Sequence, residues 1–145
     1  MIPEFDINGN LLPGIHIAIW DEFVTRFGFN NHRMRLLSGL KTALYEFIGV
    51  GCSTFYLNGS FVTSKEYPND YDCCWLSTGV NISDLDPVLL DFTSERKAQK
   101  LKYLGEFFPI QNKTNPKSMT FLDFFQMDNN GNPKGIVNLD LGSLS

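Results

Sequence analysis

Two aspartates, Asp70 and Asp72, flank a tyrosine and lead directly into the apolar letters CCW, nine residues after the pair Gly59-Ser60. If this segment is a strand, side-chain alternation places both carboxylates on one face. Neighbouring carboxylates repel each other without a counter-ion, and oxygen-rich sites of this kind suit hard cations such as Mg²⁺ or Mn²⁺. The spacing therefore indicates either a metal site or a turn whose aspartates cap backbone groups.

The residues around the aspartates suit a phosphate ligand of such a metal ion. Gly59 would let backbone N–H groups approach a phosphate closely, and Ser60 would add a hydroxyl. Lys65 lies in the connecting segment, and Lys97 and Lys100 lie further along the chain as candidates to neutralise phosphate charge.

The elements that must position these residues follow from hydrophobic periodicity and turn signals. Residues 1–15 are predicted to be an extended lead-in. The predicted helices cover 19–28, 30–51 with Asn30 or Asn31 as its cap and Gly49 and Gly51 closing it, and 94–105, capped by Thr93 or Ser94. The second helix should bury one face, which carries Met34, Leu37, Leu40, Leu44 and Phe47. The predicted strands cover 53–57, 70–77 and 106–110, followed by a β-hairpin over 121–141.

This order of elements predicts an α/β (α+β) fold, with a mixed β-sheet flanked by helices and a C-terminal β-hairpin. The 145 residues suit a single domain spanning 1–145, and no internal repeat is evident. The net charge of −4 argues against a general phosphate-backbone binder. Three cysteines without CxxC spacing favour a reducing compartment. With no apolar run near the 20 or so residues of a membrane span and no signal peptide, we expect a cytoplasmic protein without membrane partners.

The sequence FYLNGS, nine residues and DYDCCW together resemble the signature of the polymerase-β-like nucleotidyltransferases, an apolar strand ending in Gly-Ser followed by Asp-x-Asp on the next strand. The small size is similar to that of the minimal nucleotidyltransferases of bacteria and archaea, including those found as antitoxins. The wider stretches LPGIH, NGSFVTSKEYPNDYDCCW and FLDFFQMDNNGNPKGIV also resemble a group of bacterial proteins within that superfamily.

The resemblance implies a nucleotidyltransferase fold that moves a nucleoside monophosphate from an NTP, most simply ATP, to a hydroxyl of a protein or RNA acceptor. It implies two Mg²⁺ or Mn²⁺ ions held by Asp70, Asp72 and a third carboxylate on a later strand. Glu106 is our choice for the third carboxylate, with Asp91 and Asp123 as competitors. Gly59, Ser60 and Lys65 would bind the nucleotide phosphates.

Two alternatives remain open at this point. The chain could be a catalytically silent protein that uses the same fold for binding, such as an antitoxin with a cognate toxin or a phage-defence partner. It could also bind nucleotides as a sensor without turning them over.

Overall fold

The structure, a computed structural model, describes residues 1–110, 121–128 and 130–144. The described residues form a mixed α+β fold of strands and helices. Their bounds are β1 Ile15–Ala18, α1 Trp20–Phe27, α2 Asn31–Gly49, β2 Phe55–Asn58, β3 Tyr71–Trp75, α3 Thr93–Tyr103, β4 Gly105–Pro109, α4 Phe121–Phe125 and β5 Ile136–Leu139. In the part of the chain so described, no helix is both long and apolar enough to cross a membrane.

The five strands form one mixed sheet in the order β1-β5-β2-β3-β4. Strand β2 runs antiparallel to both of its neighbours, β5 and β3. The pairs β1–β5 and β3–β4 are parallel. The predicted mixed sheet is therefore confirmed, whereas β1 begins at the end of the segment that was predicted to be an extended lead-in.

One face of the sheet packs against the helices and forms the core. The ring of Phe47 on α2 lies 5.3 Å from that of Phe55, 5.1 Å from that of Trp75 and 5.8 Å from that of Phe107, measured between centroids. Helix α2 begins as predicted, because the Asn30 side chain accepts a hydrogen bond from the Arg33 N–H at 2.8 Å. Its buried residues are Arg33, Leu36, Leu37, Leu40, Ala43, Leu44 and Phe47.

The prediction that Met34 lies on this buried face is wrong, since its side chain is 45% exposed. The buried stripe of α2 follows the 3.6-residue period through 33, 36, 37, 40, 43, 44 and 47. Position 34 lies at the margin of that stripe.

Strand alternation places a second set of side chains on the opposite face of the sheet. Over β4 this face is covered by α4, whose Phe121 and Phe125 rings lie 4.5 and 5.4 Å from the ring of Phe108. The same face also carries the polar residues described below.

The predicted C-terminal β-hairpin over 121–141 is wrong in its first arm, which is the short helix α4. The helix brings the rings of Phe121 and Phe125 to 6.0 Å from each other, so that both contact Phe108. A strand would separate these two residues by about 13 Å. The second arm is confirmed as β5, and an isolated bridge joins Met127 to Pro133 across the turn between them.

The chain contains a short internal repeat that the sequence analysis missed. Segments 6–10 and 128–132 share the pattern Asp-x-Asn-Gly-Asn, and each precedes a Gly-Ile pair that opens a strand. In both, the N–H of the first residue donates to the carbonyl of the fifth, at 2.7 and 2.8 Å. In both, the aspartate Oδ1 accepts from the N–H groups of the third and fifth residues. The strands that follow the two units pair with each other, since Ile15 is in register with Ile136 where β1 meets β5.

Helix α3 begins differently from the prediction of a Thr93 or Ser94 cap. The Oδ1 of Asp91 accepts hydrogen bonds from the backbone N–H and the hydroxyl of Thr93, at 3.0 and 2.5 Å. The next three residues, 94 to 96, have positive φ angles of 50°, 56° and 61°. This left-handed turn is costly for residues with a side chain, and it places Arg96 next to β4.

Candidate functional site: a carboxylate row beside a polar cleft

Three polar residues lie in one row across β2, β3 and the edge strand β4. Asn58 on β2 is in register with Asp72 on β3, and Asp72 is in register with Glu106 on β4. The side chain of Asp72 also forms a hydrogen bond with that of Glu106. Asp70 immediately precedes β3, and its charge interacts with that of Glu106. The structure thus brings together the predicted residues Asp70, Asp72 and Glu106.

The two competitors for the third carboxylate lie elsewhere. Asp91 accepts hydrogen bonds from Thr93 ahead of α3, which lowers the pKa of its carboxyl. Asp123 is exposed on α4. Neither residue is on a strand of the sheet, so Glu106 is the third carboxylate of the row.

Gly59 directly follows β2 and lies against the carboxylate of Asp72. Its φ is +75°, a conformation that side chains disfavour, and a Cβ at this position would overlap Asp72 Oδ2. A glycine is therefore required here by both the backbone angle and the contact.

A cleft of about 510 Å³ opens beside this contact. Its lining is polar at the sheet and aromatic towards α4. The residues are Asn10, Gly59, Ser60, Thr63, Asp72, Phe124, Phe125, Met127, Asp128 and Lys134. The predicted phosphate-binding residues Gly59 and Ser60 therefore share a cleft with one of the predicted metal ligands.

Lys134 is a cleft residue that the sequence analysis missed. It lies just before β5 and is half-buried. Burial lowers the pKa of its ammonium group, whereas the negative charge of Asp72 raises it. The only available signal was its place at the end of the turn DNNGNPKG, which gave no indication that this turn meets the Gly-Ser loop.

The carboxylate row carries more negative charge than its surroundings readily accommodate. Burial, the charge of Asp70, and the charge and hydrogen bond of Glu106 raise the pKa of Asp72 to about 8. Burial and the charge of Glu106 also raise the pKa of Asp70, although Lys100, Arg96 and Lys65 act in the opposite direction. A cation bound at the row would relieve this repulsion.

Glu106 is held by two cations from α3. Its carboxylate lies 2.9 Å from Lys100 Nζ and 3.4 Å from Arg96 Nε. The left-handed turn described above places Arg96 here, where its guanidinium also lies 5.1 Å from the centre of the Phe108 ring. Among the described residues, no group of three or more His, Cys, Asp or Glu side chains is arranged to hold a metal ion.

The row does offer oxygen donors suited to Mg²⁺. Asn58 is completely buried, and its Oδ1 has no hydrogen-bond partner in the described structure, while its Nδ2 lies 3.5 Å from Cys74 Sγ. Carboxylate and amide oxygens are the ligands that hard divalent cations prefer. The residues present therefore fit a magnesium ion by their chemistry, provided that Glu106 exchanges its cations for it.

Arg33 is a second residue that the sequence analysis missed. It is completely buried on α2, and its guanidinium donates to the carbonyls of Phe27, Phe61, Thr63 and Lys65 at 2.7–3.0 Å. Three of these carbonyls belong to the loop that follows Gly59. Arg33 therefore fixes the loop that carries the predicted phosphate-binding residues.

Lys65, predicted to bind phosphate, lies at the end of this loop and is exposed. Its backbone carbonyl is one of those bound by Arg33, and its charge acts on Asp70. Lys65 is not among the residues that line the cleft, and the carboxylate on which its charge acts is that of Asp70.

Comparison with known protein families gives a match over most of the chain. A family model described as a family of unknown function (DUF6932) matches residues 3–140. The chain belongs to this family. No curated protein and no solved structure matches the chain. The DUF6932 family match includes β1 to β5, and with them the carboxylate row and the cleft.

Proposed function

We propose that this DUF6932 protein is a Mg²⁺-dependent nucleotidyltransferase, which moves a nucleoside monophosphate from an NTP, most simply ATP, to an acceptor hydroxyl. The observation that carries the proposal is the alignment of Asp72 with Glu106 across β3 and β4, with Gly59 packed against the Asp72 carboxylate. The resemblance of the Gly-Ser and Asp-x-Asp motifs to nucleotidyltransferases supports the same proposal.

The charges around the row suit a metal–triphosphate ligand. Three carboxylates, Asp70, Asp72 and Glu106, are surrounded by four cations, two of which lie on α3. These cations are Lys65, Arg96, Lys100 and Lys134. Carboxylates bind the metal in such a site, and cations neutralise the phosphates that the metal cannot reach.

Each residue has a defined part in the proposed reaction. Bound magnesium would supply charge neutralisation at the transferred phosphoryl group. Asp70, Asp72 and Glu106 would ligate it, and Glu106 would release Lys100 and Arg96 in order to do so. Gly59 and Ser60 would present a backbone N–H and a hydroxyl to the phosphates, and Lys134 would neutralise them from the opposite wall of the cleft.

A second candidate is a protein of the same fold that binds without catalysis. The observation in its favour is that Glu106 already has two cationic partners, Lys100 and Arg96, and so needs no metal for neutralisation. If those ion pairs persist when nucleotide is present, the protein would bind a ligand or a protein partner without transferring a nucleotide.

The test measures binding and transfer separately. Binding of ATP, GTP, CTP and UTP is followed by calorimetry in excess Mg²⁺ and again in excess EDTA, and transfer is followed with an α-phosphate label. We expect Mg²⁺-dependent binding, and we expect Asp72→Asn to reduce transfer by at least about 100-fold because a metal ligand is lost.

Two variants sharpen this experiment. Lys134→Ala should weaken nucleotide binding about tenfold while the fold remains intact, because one phosphate neutraliser is removed. Asp84→Asn, an exposed carboxylate in a turn away from the sheet, is the matched control and should behave as wild type. Absence of nucleotide binding under every metal condition would overturn the proposal, and Mg²⁺-dependent binding without any transfer would favour the second candidate.

A further inference from the structure

The start of α3 has a backbone conformation that its residue types disfavour. Ser94, Glu95 and Arg96 have φ/ψ angles of 50°/45°, 56°/39° and 61°/35°, which is the left-handed helical region. In that region the Cβ of an L-residue lies too close to the following carbonyl oxygen, and none of the three residues is a glycine. Backbone strain of this kind persists only where surrounding contacts offset it, and it clusters at functional sites and switch regions.

The left-handed turn is held by contacts at its two ends. Ser94 and Glu95 are exposed, so their side chains do not anchor it in the core. Ahead of the turn, the backbone N–H and the hydroxyl of Thr93 donate to Asp91 Oδ1. At the far end, the side chain of Arg96 is only 27% exposed and contacts β4. The contacts of Arg96 are therefore a main part of what offsets the strain.

Arg96 and Lys100 together occupy the carboxylate of Glu106. Arg96 Nε lies 3.4 Å from Glu106 Oε2, and Lys100 Nζ lies 2.9 Å from Oε1. Both oxygens of Glu106 thus face a cation from α3. A metal ion that took Glu106 as a ligand would have to displace at least one of these two cations.

The two cations differ in what holds them. The Lys100 side chain is 36% exposed on a flexible stem, so its ammonium can return to water without a change in the backbone. Arg96 Nε is buried and has no hydrogen-bond acceptor among the described residues, which adds an unsatisfied donor to the strained backbone. The charge of Glu106 compensates for both costs. If a metal ion neutralised that charge, the left-handed turn would lose its main support.

We infer that the left-handed turn of residues 94–96 is an autoinhibitory switch that opposes metal binding at the carboxylate row. In its left-handed state, Arg96 occupies Glu106. In a right-handed state, α3 would begin as an ordinary helix, and Glu106 would be available to the metal ion. This inference rests on the metal site of the proposed function. The coupling is reciprocal, so any change that favours the right-handed state should raise the affinity for the metal.

Substitutions of Glu95 shift this equilibrium without altering the carboxylate row. Proline fixes φ near −65°, which excludes the left-handed turn but fits the first turn of a right-handed helix. Glycine adopts a positive φ without strain, so it favours the left-handed state. Glu95→Gln removes the same charge with neither backbone effect, and it is the reference for both variants.

The experiment measures Mn²⁺ binding to the full chain without nucleotide, by electron paramagnetic resonance of the free ion. Relative to Glu95→Gln, Glu95→Pro should bind Mn²⁺ at least about tenfold more tightly, and Glu95→Gly about fivefold more weakly, because apparent affinity follows the fraction of competent molecules. Arg96→Gln removes the competing cation and should bind at least about tenfold more tightly than wild type. In a Glu106→Gln background, the three Glu95 variants should bind alike.

Urea denaturation without metal tests the strain itself. Glu95→Gly should raise the urea midpoint relative to Glu95→Gln, because glycine relieves the left-handed backbone. Leu101→Gly places the same residue at a 72% exposed position of α3 where φ is not positive, and it should lower the midpoint. A lower midpoint in both variants would overturn the inference, because residue 95 would then not be left-handed in solution.

The outcomes separate this inference from the proposed function. If Mg²⁺–NTP binds while the three Glu95 variants share one Mn²⁺ affinity, or while none of them binds Mn²⁺, the switch is overturned and the proposed function stands. If Mn²⁺ affinity follows the expected order but no NTP binds under any metal condition, the switch stands and the proposed function fails.

Discussion

Asp72 is the residue whose environment most constrains the site. Its carboxyl group lies against Gly59 and forms a hydrogen bond with the side chain of Glu106. It also lines the cleft together with Lys134. Its buried carboxyl favours the protonated form, so binding of a cation there should release a proton. Under the proposed function, cation binding would therefore depend on pH through this side chain.

This coupling gives a prediction for stability against pH. The pKa of Asp72 is raised to about 8 in the folded protein, so its proton contributes stability that is fully present below the unfolded pKa near 4 and is lost as the pH rises through 8. Asp72→Asn lacks the titrating group. The free energy of unfolding of this variant, relative to that of the wild type, should therefore increase from pH 4 to pH 9.

Urea denaturation of both proteins at each pH, without divalent cations, measures this difference. Asp84→Asn serves as the control, and its free energy of unfolding should differ from that of the wild type by the same amount at every pH. A pH-independent difference for Asp72→Asn would contradict the prediction, because it would mean that Asp72 has the same pKa in the folded and unfolded states.

Among the elements, the loop between β2 and β3 depends on α2 for its shape. This loop carries Gly59, Ser60 and Lys65, and its carbonyls at Phe61, Thr63 and Lys65 accept hydrogen bonds from Arg33. The guanidinium has no carboxylate partner in the described structure and is lodged against the Phe29 and Phe61 rings, at 4.3 and 4.7 Å. A helix residue therefore holds the β2–β3 loop in place.

Arg33→Met should destabilise the protein by about 3 kcal/mol or more, because several buried carbonyls would lose their donors at once. Arg35→Met, two residues along the same helix, removes an exposed arginine and should change the free energy of unfolding by less than about 0.5 kcal/mol. Urea denaturation measures both. Similar values for the two variants would contradict the assigned role of Arg33.

For the molecule as a whole, segments near both ends of the described chain contact the cleft and each other. The turn at 6–10 contacts the β2–β3 loop, since the Gly9 carbonyl accepts from the Ser64 N–H at 2.9 Å. The Gly135 N–H donates to the Leu11 carbonyl at 3.0 Å, which joins the N-terminal segment to the segment ahead of β5. The N-terminal segment is thus part of the core and of the cleft wall.

Leu11→Ala should accordingly cost about 2–5 kcal/mol, since Leu11 is 1% exposed within the core. Leu12→Ala, at a neighbouring side chain that is 51% exposed, should cost less than about 0.5 kcal/mol. Thermal and urea unfolding of the pair test whether this segment is integral to the fold. Equal losses for the two variants would show that it is not.

The sequence by itself determined the elements that have strong local signals. The 3.6-residue stripe and Asn30 cap specified α2, and apolar β-forming runs specified β2, β3 and β4 to within one or two residues. Alternation together with the Gly-Ser and Asp-x-Asp spacing also predicted that Asp70 and Asp72 would lie together. These features depend on neighbouring residues in the chain, so periodicity and turn chemistry reveal them.

Only the tertiary structure decided the rest. The position of Glu106 beside Asp72, which neither Asp91 nor Asp123 shares, follows from the parallel register of β3 and β4, which no local pattern encodes. Lys134 reaches the cleft because β5 inserts between β1 and β2, and α4 is a helix because two of its rings pack on Phe108. Each of these outcomes is set by contacts between distant segments, whose energies outweigh the local preferences that a sequence displays.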